Sequence, residues 1–506
     1  MPDDQSEAIA YLSDPAGHGG AEVTHVQTHG AHVFLARDTA YKIKRAVAYD
    51  YMDFSTLPLR EAMLRREFDL NRPAAPQIYR DVCPLTRRPG GGLELDGKGE
   101  PVEWVLRMAR FPQENELSAI AERGELDDAL AQDLGQTAYD YHAQSPRRDA
   151  DGAKLMADIV TELETAFAGM TDELGADRAA RFRSLARERQ AALAPLMQAR
   201  GVRGHIRRCH GDLHLNNIVL LDKRPVLFDA LEFDEVLGTC DVLYDLAFLI
   251  MDLRHRDLGR AACLALDAWL FAAAGEEDAG LAALPYFLGI RGAIRAMVEV
   301  QTGRATGEIS DHTERALGFL DDALESFAAG PPTLLAVGGM SGTGKTTLAR
   351  DLLPLIGPPP GAVHLRSDLE RKQLAGADPL DRLPADAYGA EASGVVYCRL
   401  LSRAETLLQA GRSVVIDATW LAPGEREDLA ALARRTGVAF SALWLEAGTA
   451  ALQARVSARH GDASDADATV VARQARDAKT PGHWHHIDAS GPAEETLRRA
   501  RAALGL

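Results

Sequence analysis

The chain has 506 residues, of which 46% are hydrophobic and 26% charged, and a formal net charge of −18. That length exceeds what one hydrophobic core serves, so two or three domains are expected, and the negative charge disfavours indiscriminate nucleic-acid binding, which needs cations to displace counterions. The five cysteines, at 83, 209, 240, 263 and 398, form no C-x-x-C pair, which argues against a disulfide framework or a zinc site and predicts a reducing, cytoplasmic setting.

The acidic start "MPDDQSEAIAYL" lacks the cationic region of a secretory signal, and apolar runs such as "YDLAFLIMDL" are short and broken by aspartates, so no membrane span is expected. From Ala31 to Val47, "AHVFLARDTAYKIKRAV" reads as two strands around the turn "RDTA". A helical pattern follows in "STLPLREAMLRREFDLNR", then strand-like "GLELDG" and "PVEWVLRMARF". Residues 114 to 206 are almost continuously helix-forming, and further helices run to "LDDALESFAAG". Beyond the Gly and Pro of "AAGPPT", the pattern changes to alternating strands and helices. "TLLAVGG", "AVHLRSD", "SVVIDAT", "FSALWLEA" and "HWHHIDAS" are five candidate strands, which predicts an α/β domain with a parallel sheet. The domains expected are 1–327, a linker 328–332, and 333–506.

Within the first of these, "CHGDLHLNNIVL" starts at Cys209. Asp212 precedes Asn217 by five residues, and Asp229 in "VLFDALEF" follows twelve further on. This spacing suits phosphoryl transfer, with Asp212 accepting the hydroxyl proton while Asn217 and Asp229 hold Mg²⁺ against the ATP phosphates. It resembles the catalytic loop of protein kinases and, more closely, the aminoglycoside phosphotransferase and choline kinase families, where a glycine stands at the place of Gly211. The resemblance implies an α+β, bilobal kinase-like domain. It also implies a strand lysine paired with a helix glutamate. Lys42 and Lys44 share a strand face; the register from the turn favours Lys44, with Glu67 as partner and Glu61 in reserve. Met108 to Arg110 would provide the hinge to which adenine bonds. Asp241 and Asp245 would anchor the catalytic loop, and His210 would pin it.

The C-terminal part carries "GMSGTGKT", Gly339 to Thr346, matching G-x-x-x-x-G-K-[ST] between a predicted strand and helix. Backbone N–H groups of Gly339, Met340, Ser341, Gly342, Thr343, Gly344, Lys345, Thr346 and Thr347 would line the ATP phosphates. The Lys345 ammonium reaches the β/γ-phosphates, and Thr346 supports Mg²⁺. Asp368, past the second strand, is placed to deprotonate a hydroxyl, and Arg371 to hold an acceptor's anion. Asp417 ends the third strand as a second Mg²⁺ support. Arg455 and Arg459 lie four apart, to close over the transferring phosphoryl group. With "RSDLERK" following the P-loop, residues 333 to 506 resemble the zeta-toxin and polynucleotide-kinase-like P-loop kinases, a resemblance that makes Asp368 the base and the two arginines the lid.

The whole is similar to bifunctional aminoglycoside phosphotransferase/ATP-binding proteins. The function expected is transfer of the ATP γ-phosphoryl group to a small-molecule hydroxyl at the N-terminal site, and to a small molecule, nucleotide or nucleic-acid end at the C-terminal one. The contrasting reading has one kinase-like domain sensing nucleotide and controlling the other.

Overall fold

The computed structural model describes residues 3–49, 52–328, 330–458, 463–477 and 479–506. They form two compact units, one of Met1–Gly152 with Arg200–Leu249 and one of Ala153–Ala199 with Ile250–Leu506.

The first unit is built on an antiparallel sheet of six strands, in the order Val23–Gln27, Ala31–Ala36, Thr39–Lys44, Pro101–Ala109, Tyr79–Arg87 and Leu93–Leu95. The turn anticipated at "RDTA" joins the second and third, with Ala36 paired to Thr39. The helix Leu57–Asn71, opened by Pro58 where a missing N–H costs nothing, lies against this sheet. Arg60, Leu64, Glu67 and Asn71 are its buried residues, one stripe at helical spacing. Three of the four are polar, so the face is held by charge as well as packing: the buried Arg60 pairs with the buried Glu103 at 3.0 Å. Residues 200–249 add two hairpin-like pairs, Ile206–Arg208 with Thr239–Asp241 and Ile218–Leu221 with Arg224–Leu227.

Two strands of this sheet escape sequence reasoning. Val23–Gln27 is largely exposed and offers little hydrophobic alternation. Tyr79–Arg87 contains Pro84, which reads as a breaker. Proline is tolerated there because the strand's second neighbour joins only from Leu85 onward.

In the second unit, all five strands anticipated beyond residue 330 are present and parallel, in the order Val363–Arg366, Val414–Asp417, Thr333–Gly339, Ala439–Glu446 and His485–Asp488. Val414–Asp417 is buried throughout, as a parallel strand covered on both faces must be. Residues 153–199 and 250–327 supply helices. One stretch, Asp278–Thr306, is long and apolar enough to cross a membrane by length and composition, but 67% of its most apolar window is buried inside the protein.

Register places the chemistry. Val337 pairs with Asp417, and Arg366 pairs with Asp417 from the other side. The P-loop, Asp417 and the segment carrying Asp368 therefore emerge at one edge of the sheet, at the carboxyl ends of its strands.

Candidate active sites

In the first unit, three chain segments meet. Lys42, on the strand Thr39–Lys44, donates to Glu67 Oε1 at 2.7 Å and to Asp229 Oδ1 at 3.0 Å. Lys44 lies behind it, bonded to Glu67 Oε2 at 2.6 Å and to Glu232. The register argument that favoured Lys44 is thus corrected. Both lysines share the strand face, but Lys42 is the one against Asp229, while Lys44 is buried deeper and neutralised by Glu232. Glu67, fully buried, accepts from both ammonium groups, and Glu232 is a partner that sequence spacing alone did not assign.

Charge balance sets the ionisation here. Burial opposes the Lys42 ammonium, but the Asp229 and Glu67 carboxylates outweigh it and hold its pKa well above the ordinary lysine range. Burial likewise works against the Asp229 carboxylate, and Lys42 outweighs it, so Asp229 sits below the usual range. Asp229 takes a left-handed backbone, φ 60°, rare for a residue with a side chain. Its N–H donates to the Tyr79 hydroxyl at 3.1 Å, which pays part of that strain.

Asn217 donates to Asp212 Oδ2 at 2.8 Å and to the Asp212 carbonyl at 2.9 Å, which closes the loop between them. His214 Nε2 lies 3.3 Å from the same carboxylate. Asp245 fixes the loop from below, accepting from the backbone of His210 at 3.0 Å and of Gly211 at 2.8 Å. Gly211 has φ 84°, and a Cβ there would approach Leu231 Cβ to 3.1 Å, so the turn requires glycine. Asp241 is instead held by a two-pronged bond to Arg200, at 2.7 Å each. His142, Cys209 and Asp245 cluster closely enough to suggest a metal site, yet the cluster is already knit internally, with His142 Nε2 on Asp245 at 3.1 Å and the Cys209 thiol on the Cys240 carbonyl. His210 bonds the Phe228 carbonyl at 2.9 Å, and burial lowers its pKa, so a neutral ring pins the loop to the segment carrying Asp229. Met108 packs beside Tyr79, Val219 and Val226 in one apolar cluster.

In the second unit, a cleft of about 710 Å³ is lined by Gly342, Lys345, Thr346, Asp368, Asp417 and Arg455, among others. Gly339, Gly342 and Gly344 have φ of 133°, 85° and 86°. A Cβ on Gly342 would come within 2.9 Å of the Leu452 carbonyl, whereas one on Gly344 would meet nothing within 4 Å. Met340 and Thr343 form the loop's inner side, where the Thr343 hydroxyl donates to the Met340 carbonyl at 2.8 Å. Thr347 lies on the exposed side of the helix Lys345–Leu352. The Ser341 N–H donates to Gln474 Oε1 at 2.8 Å and Lys345 Nζ to the Met340 carbonyl at 3.2 Å.

Thr346 Oγ1 donates to Asp417 Oδ2 at 2.5 Å. A hydroxyl and a carboxylate so close are the hard oxygen donors that Mg²⁺ selects, so these residues fit the ion. Burial would raise the Asp417 pKa, but His364 and Lys345 outweigh it and bring it down to about 2. Burial pushes the Asp368 carboxyl up, with Arg366 pulling the other way. Arg371 is bonded to the Ala387 carbonyl at 2.6 Å and lies over the Tyr388 ring at 4.8 Å. Arg455 reaches the cleft with its guanidinium on the carbonyls of Ala489 at 2.9 Å and Ser490 at 3.1 Å. Arg459 lies outside the described residues. Sequence spacing did not find Asp465, which collects Lys372, Tyr388 and the Leu383 N–H and ties the 381–388 segment to the cleft's far wall.

Two family models match the chain: the phosphotransferase enzyme family over residues 64–284, and an AAA domain over residues 334–481. Uncharacterized proteins of Mycobacterium bovis and Mycobacterium tuberculosis are each 30% identical to it, with 94% of this chain and 94% of each relative covered. Among solved structures, a choline/ethanolamine kinase family protein from Mesorhizobium loti matches with 16% identity and TM-score 0.38, over 64% of this chain and 98% of its own. A gluconokinase from Sinorhizobium meliloti matches with 21% identity and TM-score 0.25, over 35% of this chain and 93% of its own.

Proposed function

For a chain that belongs to the family of these mycobacterial proteins, a kinase joining a phosphotransferase domain to a P-loop AAA domain, we propose two separate ATP:alcohol phosphotransferase sites. We assign one to residues 1–327 and the other to 333–506, joined by 328–332, in a cytoplasmic protein whose five cysteines are free thiols.

The observation that carries the reading is the convergence of Lys42, Glu67 and Asp229 in the first unit, together with the Asp212–Asn217 pair. Asp212 accepts the acceptor's hydroxyl proton, Lys42 holds the α/β-phosphates, and Asn217 with Asp229 would hold Mg²⁺. In the second site Asp368 is the base, Lys345 and the P-loop amides grip the phosphates, and Thr346 with Asp417 would hold Mg²⁺. When bound, the ion would supply neutralisation of the phosphate charge at both sites. Catalysis is positioning and electrostatics, with no covalent intermediate on the protein.

The acceptors are small hydroxyl compounds. Supporting this at the second site, the cleft lining mixes both signs of charge, with Arg371, Arg382, Arg455 and Arg473 beside Glu425, Asp465 and Asp467, whereas a nucleic-acid end calls for a continuous cationic track.

An acceptor screen with γ-labelled ATP tests the reading on the full chain and on its Asp212→Asn and Lys345→Met variants. Each variant is expected to lose one set of labelled products and keep the other. A site whose variant removes no product from a broad panel of sugars, amino alcohols and nucleosides would be demoted to a nucleotide sensor.

A further inference from the structure

The helix Ser367–Leu374 carries Asp368 and Arg371, which line the cleft, and also a buried carboxylate, Glu370, that does not line it. Glu370, on this helix, is 2% exposed and accepts from Arg399 at 2.7 Å and from Arg403. Arg403, on the helix Ala390–Gln409, is itself buried. With its remaining N–H groups it grips Asp278 in two-pronged fashion, at 2.8 and 2.9 Å, and Asp278 is also 2% exposed. Asp278 lies inside the span that the phosphotransferase family model matches, 55 residues before the first strand of the parallel sheet.

Neighbouring bonds run in the same direction. Gln373 Nε2 donates to the Phe271 carbonyl at 2.6 Å, Arg399 to the Ala274 carbonyl at 2.9 Å, and the His364 N–H, on the strand that feeds the helix, to Asp267 Oδ1 at 3.1 Å. Cys263 sits within the same apolar core as Leu335, Val337 and Leu348 of the P-loop domain. The helices around 259–283 and the P-loop sheet thus share one packed interior.

We propose that residues 267–278 of the phosphotransferase segment set the second active site, and that Arg403, held by Asp278, is a positioning residue that fixes Glu370 and so aims Asp368 at the acceptor hydroxyl. Buried ion pairs are poor sources of net stability, because desolvation offsets the attraction, but a two-pronged Arg–carboxylate bond is strict about geometry. Here one guanidinium ties two carboxylates from different segments, so the face of the base-bearing helix that carries Glu370 is held by Asp278, while Arg371 and Lys372 hold it on the side of Ala387 and Asp465. The P-loop supports its own conformation through its glycines and owes the pair nothing. The inference rests on Asp368 being the base of the second site.

The test uses full-length protein carrying Asp212→Asn, to silence the first site, with and without Asp278→Asn. Amide hydrogen exchange over 367–374 is expected to quicken more than tenfold in Asp278→Asn, while the exchange of 339–347 and the Kd for a fluorescent ATP analogue stay within twofold. ATP turnover with water as acceptor is expected to fall at least tenfold in kcat with KM little changed. Unchanged exchange over 367–374, or a loss spread evenly across the five-stranded sheet, overturns the proposal. If Asp278→Asn does not fold, Arg403→Lys is read in the same way, since it keeps the charge and gives up the fork; failure of both to fold makes the network a support of the fold and also overturns it. Asp368→Asn separates the two readings. If that variant keeps full turnover, Asp368 is not the base and the second-site mechanism falls, whatever the exchange data show.

Discussion

Lys42 Nζ lies 3.0 Å from Asp229 Oδ1, across 187 positions of sequence. The contact joins the antiparallel sheet to the segment carrying Asp229, and with Lys44 paired instead to Glu232 it separates two lysines that share a strand face. Lys42→Met removes the cation that would face the phosphates, and a loss of roughly 10²–10³ in kcat/KM at the first site is expected, as for other preorganised electrostatic contacts. Lys44→Met instead strands Glu232 and half of the Glu67 pairing in the interior, and is expected to cost about 3 kcal/mol of stability. Steady-state kinetics and urea unfolding on both variants check the division; equal kinetic losses with equal stability would contradict it.

Tyr79→Phe deletes the acceptor of the Asp229 N–H. A part-buried N–H without a partner costs about 1 kcal/mol, and Asp229 holds its left-handed backbone with one bond fewer. The KM for MgATP at the first site is therefore expected to rise several-fold, with a smaller change in kcat. The acceptor KM serves as the internal control and should not move.

How far the sequence discloses these sites follows from the range of the interactions. The P-loop, the Asp212–Asn217 pair and each of the five parallel strands are marked by residue patterns local in the chain, within a turn or a strand, and such patterns are visible as spacing even though the strands pair over long separations. Lys42 and Lys44 could not be separated that way. Strand parity places both on one face, and only the approach of Glu232, 188 residues away, pulls Lys44 into the interior. His142 and Asp245 are similarly distant, so the spot where a histidine meets the loop's anchor carries no local mark. Tyr79–Arg87 was hidden for the opposite reason: Pro84 sends a strong local signal that the tertiary arrangement overrides by leaving that position without a second neighbour. Asp278 and Arg403 are 125 positions apart, and each alone reads as a surface charge.

Thr346→Val removes the hydroxyl that bonds Asp417 while keeping the side chain's shape. Nucleotide is expected to bind the second site still, through the P-loop amides and Lys345, but Mg²⁺-dependent tightening should be lost. Isothermal titration with ATP, with and without Mg²⁺, reads this out. The Asp417 pKa of about 2 lies below the ordinary value of 3.8, so Asp417 stabilises the folded state above about pH 4 and loses that contribution only as pH falls toward 2. Mg²⁺ affinity measured at this site without nucleotide should accordingly be flat in pH from 5 to 8; a midpoint inside that window would show that a different group governs the site.

Asp267 behaves in the reverse sense. Burial pushes its carboxyl up from 3.8 to about 8, against the pull of the His364 N–H and of Arg350 and Arg403. The folded protein therefore keeps a proton that the unfolded chain releases above about pH 4, so stability falls as pH rises from there toward 8 and levels off beyond it. The slope from this group alone is about 1.4 kcal/mol per pH unit at most. Asp267→Asn retains an oxygen for the His364 N–H and has no proton to lose, so its stability should decline less steeply between pH 5 and 8, leaving it the more stable protein at pH 8. Urea unfolding of both proteins at four pH values in that range decides the matter, and parallel profiles would show that Asp267 is ionised in the folded protein throughout.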